Sequence, residues 1–353
     1  MLTEADVAPA RLDSSPVTSR LRSNVNATRD LPTATIVCYH YVREIRRSRF
    51  PDIRGLELAA FREQVAYFKR FYNFVTASQI AAALDGSEAL PPRALLMTFD
   101  DGYADHYASV FPVLDEHGIS GCFYPPVHAI RDGKLLDVNK IHFALASAPV
   151  GQIYELICSG VDALRTEHQL PSIQELESKY AVPSPRDTAE IVFVKRVLQK
   201  GLPSNVRSTL ATRIFHHCVT TDEAAFAREL YLSEDQIRVM LQQNMHFGSH
   251  GTAHSWLDSL TDSAQEDEID QSVSWLGTLG ATKGFWTMCY PFGARNDATL
   301  KILANRKCAF AVTVDPGVAE VSPANRFVLK RLDTNEFPKE PTTSPNRWTQ
   351  AVS

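Results

Sequence analysis

The sequence is poor in the features that would assign it to several common classes. Its 353 residues hold six cysteines but no CxxC pair, which gives a cysteine zinc site no support. Cys38, Cys122, Cys158, Cys218, Cys289 and Cys308 are scattered, several inside apolar runs such as IVCYH and GCFYP, and read as reduced core thiols. No apolar run approaches the roughly 18 residues that would cross a bilayer, so no transmembrane segment is expected. The N-terminal stretch carries early acids and lacks the apolar core of roughly 7–15 residues that a secretory signal needs; a cytoplasmic location is the resulting expectation. Basic blocks are missing too. Lys and Arg number 36 against 41 Asp and Glu, a formal net charge of −5, so nucleic acid is not an expected partner. No repeat of roughly 20–50 residues is visible.

What is present describes a folded globular chain: 44% hydrophobic, 22% charged and 9% aromatic residues, with core enough for one large α/β domain carrying an insertion, or for two domains. Residues 1–32 are Ser-, Asn- and Pro-containing without apolar periodicity and read as a flexible arm. From Thr35 onward short apolar runs alternate with helical patterns: TIVCY, a helix over about 59–72, ALLMTF, a helix over about 108–117, then GCFYP. Such alternation indicates βα units with buried parallel strands. Between about residues 139 and 243 the texture turns helical, as in KRVLQKGL and SEDQIRVMLQQN. The βα rhythm resumes with MHFGS, a polar helix beginning near Ser263, FWTMCY, a helix after Asp297, CAFAVTV and RFVLKRL.

Two patterns at different strand ends carry the chemistry. In Thr98-Phe99-Asp100-Asp101-Gly102-Tyr103 an apolar strand runs into two adjacent carboxylates, at the C-terminal edge where α/β folds place their sites. In His250-Gly251-Thr252-Ala253-His254 two imidazoles are four residues apart, a spacing that brings them to one face if the segment turns helically. Together they supply one carboxylate and two imidazoles for a divalent metal, zinc first, with coordination positions left open. The second carboxylate is then free to act as general base.

TFDDGY, HGTAH and the later Tyr290-Pro291-Phe292-Gly293 resemble the NodB-homology polysaccharide deacetylases, carbohydrate esterase family 4. The likeness extends to CYHYV, to FREQVAYFKRFYNFVTASQIAAAL and to EIDQSVSWLGTLGA, and covers roughly residues 35–137 and 232–335. It implies a distorted parallel (β/α) barrel over 33–338 interrupted by a helical insertion at 139–231, with 339–353 as a C-terminal tail. Since residues 101 and 250 would share one metal, one domain rather than two is expected. The resemblance also implies roles: Asp100 as general base, Asp101, His250 and His254 as ligands of Zn2+ or another divalent transition metal, and water attacking an acetamide carbonyl. A backbone N–H near Tyr103 would help hold the oxyanion. The reaction would be hydrolysis of a non-peptide C–N bond in an N-acetylated amino sugar or oligosaccharide.

The sequence departs from the family in two places. The position two before Pro291, where many members have the arginine that orients the base, is Cys289. Arg331 and Arg295 are the candidate replacements. The late Leu-x-His of many members is also missing, since no histidine follows His254; His40, at the end of the first strand, is the substitute candidate for general acid. His246 reads as structural, and the His216-His217 pair has no supporting context. Tyr103, Tyr290, Pro291 and Phe292 are candidates for a sugar subsite, the rings because sugar faces stack on them. Two other outcomes stay open: hydrolysis of another amide or an O-acetyl ester, and a degenerate member that binds saccharide without turnover.

Overall fold

The computed structural model describes residues 32–184 and 187–352, within a compact unit that begins at Leu31. The arm expected over residues 1–32 lies outside the described residues, Pro32 excepted. Seven strands form the framework: β1 (Thr33–Tyr39), β2 (Ala94–Asp100), β3 (Gly121–Tyr124), β4 (His246–Phe247), β5 (Thr287–Cys289), β6 (Phe310–Pro316) and β7 (Leu329–Asp333). They lie in the order β4-β3-β2-β1-β7-β6-β5, each paired parallel with its neighbours. The two ends of the sheet meet just beyond β4. The Ser249 N–H donates to Thr287 O at 2.8 Å and the Cys289 N–H to Ser249 O at 2.9 Å, so the sheet is nearly closed into the expected (β/α) barrel. Gly248 permits this approach, because a Cβ there would collide with Thr287 and Tyr124.

Side-chain alternation along the strands decides what faces inward. Leu95, Met97 and Phe99 of β2 pack with Phe61, Val65 and Phe68 of the surrounding helix Leu58–Phe71. Leu96 instead joins Ile36, Cys122, Val312 and Leu329, drawn from strands on opposite sides of the barrel. With a period of two, Thr98 and Asp100 follow Leu96 into the interior, Cys38 follows Ile36, and Arg331 follows Leu329. All of β2 is buried, which explains its near-continuous apolar sequence.

Beyond the short helix Val127–Ile130, the described residues between β3 and β4 form seven α-helices, from Asp137–Leu145 to Glu234–Gln242. Most of this region has its own core, with Ile153, Ile157, Phe193, Val197, Leu210 and Ile214 fully or almost fully buried. Three local expectations change. The helix expected over about 108–117 opens with a wide π-helical turn at His106–Val110 before Phe111–Glu116. Of MHFGS only His246–Phe247 is regular strand, because the chain turns away to form the histidine loop. The stretch expected as a C-terminal tail docks against the barrel: in the helix Arg347–Ala351 the buried Thr349 hydroxyl lies 2.9 Å from the Tyr67 hydroxyl and accepts from that of Tyr72 at 3.0 Å.

Candidate active site

Inside the C-terminal mouth of the barrel, Arg331 and Asp100 face each other from β7 and β2. Arg331 donates from Nη1 to Oδ1 at 2.8 Å and from Nη2 to Oδ2 at 2.7 Å. Its Nε donates to Thr313 O at 2.7 Å and Nη1 also to the Thr98 hydroxyl at 3.0 Å. Both partners are almost completely buried. Burial alone would push the Asp100 carboxyl up, but the guanidinium overrides it and holds Asp100 well below the usual carboxylate range. Cys289 lies against this pair, its Sγ 3.2 Å from Arg331 Nη2. Arg295 makes no such contact and pairs with Asp315 at 2.6 Å.

Asp101 turns the other way. It follows the last residue of β2 in the left-handed region, φ +72°, an uncommon conformation for a residue with a side chain. Its Oδ1 thereby lies 3.4 Å from His250 Nε2 and 3.3 Å from His254 Nε2. The segment between the histidines does not turn helically. It is a loop with Gly251 at φ +70° and His254 at φ +57°, and the two rings still come within 4.9 Å, centroid to centroid. The loop is shaped by Glu268 on the helix Asp262–Leu279, whose carboxylate accepts from the N–H groups of Thr252 at 2.8 Å and Ala253 at 3.0 Å and from the Ser255 hydroxyl at 3.2 Å. Nothing in the local sequence marks Glu268 for this role.

The donor set fits a divalent metal. One ligand atom each from Asp101, His250 and His254 falls within 4.8 Å of the others. His250 Nδ1 lies 2.8 Å from Cys289 O, the outer contact that fixes a metal-binding imidazole and leaves Nε2 for the ion. The other Asp101 oxygen, Oδ2, accepts from the Tyr103 hydroxyl at 2.6 Å. Burial lowers His254, with Asp101 acting against it, and so favours the neutral ring that can ligate.

The remaining candidates divide. The His40 side chain is 47% exposed, with Nε2 3.9 Å from Asp100 Oδ2, so it reaches both solvent and the base. Burial opposes its charge, yet the neighbouring Cys38 and the carboxylates of Asp101 and Asp100 raise it above the ordinary imidazole range. Tyr103 and Tyr290 are buried and offer no face for a sugar, which corrects the stacking expectation. The Tyr103 hydroxyl is occupied by Asp101, and that of Tyr290 donates to Phe327 O at 2.9 Å. Pro291 is buried in a short 3-10 turn. Phe292 is partly exposed at φ +57°, edge-on to His254 and stacked 4.4 Å from Trp256. His246 lies 2.9 Å from the Thr287 hydroxyl, a structural contact. His216 meets Glu223 at 2.8 Å and His217 meets Gln152 at 3.0 Å, both in the helical region.

A buried carboxylate clamped by arginine thus lies beside a carboxylate and two imidazoles that could hold a metal ion. Residues 211–330 match the family model described as polysaccharide deacetylase. An 80-residue stretch is 39% identical to the poly-beta-1,6-N-acetyl-D-glucosamine N-deacetylase of Escherichia coli K12, covering 22% of this chain and only 12% of that protein. The corresponding protein of Escherichia coli O157:H7 matches to the same extent. Among solved structures, a Streptococcus pyogenes deacetylase, PplD, in complex with acetate superposes with a TM-score of 0.55 at 17% identity, covering 92% of this chain and 99% of that one. Residues 211–330 thus resemble the polysaccharide deacetylases in sequence, and the barrel shares the fold of such a deacetylase.

Proposed function

We propose that the protein is a divalent-metal-dependent hydrolase that removes the N-acetyl group from an amino sugar. The observation carrying this reading is the opposite setting of two adjacent acids: Asp101 faces two imidazoles, while Asp100 faces Arg331 and remains ionised. Asp101, His250 and His254 would hold the ion, and the N/O character of the set favours Zn2+ among divalent transition metals. Such an ion, when bound, makes water acidic near neutral pH and polarises a carbonyl oxygen.

The chain's own groups do the rest. Asp100, fixed by two parallel hydrogen bonds from Arg331, takes the proton of the water whose oxygen attacks the acetamide carbon. The backbone N–H of Tyr103 helps carry the charge that develops on the carbonyl oxygen. His40 gives a proton to the sugar nitrogen as the C–N bond breaks, so that acetate and a free amine leave. His40 is suited to this by its exposure and by its place 3.9 Å from the Asp100 carboxylate, which favours the protonated ring. Asp100 and Arg331 supply the base and its orienter at positions 100 and 331, which supports turnover over mere saccharide binding.

The test is metal analysis together with acetate release from N- and O-acetylated saccharides. Asp101→Ala, His250→Ala and His254→Ala are each expected to lose metal and activity together, whereas Asp100→Asn keeps the metal and loses turnover. Acetate released from O-acetyl but not N-acetyl sugars would replace the amide reading by an ester one.

A further inference from the structure

A cavity of about 680 Å³ opens beside the metal group, with His254, Trp256 and Phe292 on one side. This volume lies in the upper part of the range of small-molecule sites, about 300–1,000 Å³, and so offers room beyond the ring that carries the acetamide. The opposite wall comes from the helical region. Asp137 and Lys140 of the first helix, Arg207 and Ser208 of the helix Ser204–Cys218 and Glu223 all line it.

The charges on that wall are unequally satisfied. Buried Lys140 sits 2.9 Å from Glu223 and 3.5 Å from Asp137. Glu223 also meets His216 at 2.8 Å, and Asp137 accepts from the Ser208 hydroxyl at 3.3 Å. Both carboxylates are therefore already engaged. Arg207 is half-buried, donates to the Gln199 carbonyl and has no carboxylate within ion-pair distance among the described residues. Burial disfavours its charge, and the Asp137 carboxylate acts against this. Lys134, on the loop at the cavity's edge, is exposed and likewise without an ion-pair partner among the described residues. An unpaired, partly desolvated guanidinium is costly, and its planar fork matches a phosphate or carboxylate. Arg207 and Lys134 line the same cavity.

We propose that Arg207 and Lys134 select an acetamido sugar bearing an anionic group, a phosphate ester or a carboxylate, which they hold in this cavity while the acetamide lies at Asp101, His250 and His254. The inference rests on the deacetylase reading and adds the substrate's charge to it. The helical region then acts as the specificity wall of the barrel's site. It binds by charge, and so acts on KM more than on kcat.

The test compares acetate release, at matched concentrations and low salt, from N-acetylglucosamine, N-acetylglucosamine 1-phosphate and N-acetylmuramic acid. The expected result is a kcat/KM for one or both anionic probes that exceeds the neutral one by roughly tenfold or more, the two probes separating phosphate from carboxylate. In R207Q, and more weakly in K134Q, this ratio falls toward one through KM, with partial recovery in R207K. Because the ratio is taken within one protein preparation, a folding defect does not imitate it. Equal turnover of neutral and anionic sugars by the wild type, or a ratio that R207Q leaves unchanged, would overturn the proposal while leaving the deacetylase reading intact. If no probe releases acetate, the deacetylase reading fails. Calorimetric binding of N-acetylglucosamine 1-phosphate then decides the anion site: binding lost in R207Q supports it, and no binding or binding unaffected by R207Q overturns it.

Discussion

The floor of the site and its wall are built by different physics. The floor consists of strand ends, where register alone brings Asp100, Arg331 and Cys38 inward and where a buried ion pair with Arg331 fixes Asp100. The wall is helical and meets the floor through neutral polar groups. Asn139, on the first helix of that region, donates to the Tyr103 hydroxyl at 2.8 Å and the Tyr41 hydroxyl at 2.7 Å and accepts from Tyr231. Tyr103 in turn holds Asp101. The difference teaches that Asp100 and Arg331 are held by the barrel alone, whereas the placement of Asp101 also depends on the helices.

Breaking the floor should cost most. Arg331→Ala leaves Asp100 buried without a counter-charge, and unfolding in urea should show a loss of about 3–5 kcal/mol alongside lost turnover. Breaking the link should cost less: Asn139→Ala leaves three buried tyrosine hydroxyls short of a partner and is expected to lower stability by about 1–3 kcal/mol. Tyr103→Phe removes the hydroxyl that holds Asp101 and should weaken metal affinity by roughly 10–100-fold, read by competition with a chelator, and should also lower stability by about 1–3 kcal/mol, since buried Asp101 and Asn139 each lose a hydrogen-bond partner. The smallest effect concerns His106, which is fully buried with Nδ1 unpartnered and Nε2 3.0 Å from His40 O. Burial pulls its pKa down to about 4, against about 6.5 when unfolded. The unfolded chain takes up the proton first, so this contribution is complete above about pH 6.5 and is lost as pH falls toward about 4. The decline in melting temperature between those limits should be shallower in His106→Gln.

The same division governs what could be read from the sequence. Asp100, Asp101, His250 and His254 stand in short motifs at strand ends, and strand alternation with a TFDDGY ending already places acids at the barrel mouth. Arg331 was one of two candidates, and only the pairing of β7 with β1, and of β1 with β2, separates it from Arg295. Glu268 and Asn139 are not legible because each acts from a separate helix, Glu268 on the histidine loop and Asn139 on Tyr103, through contacts with no local spacing. The histidine loop misled by its i, i+4 pattern, since left-handed residues at 251 and 254 bring the rings together without a helical turn. Tyr103 and Tyr290 misled because an aromatic beside a motif says nothing of its burial.

The central claim is that Asp101, His250 and His254 hold a metal on which deacetylation depends, with Asp100 as a separate base. The most direct measurement is metal content and acetate release, taken on the same preparations of wild type, Asp101→Ala and Asp100→Asn. Wild type should carry one divalent ion per chain and release acetate, Asp101→Ala should do neither, and Asp100→Asn should keep its ion without turnover. Deacetylation by metal-free Asp101→Ala would contradict the account.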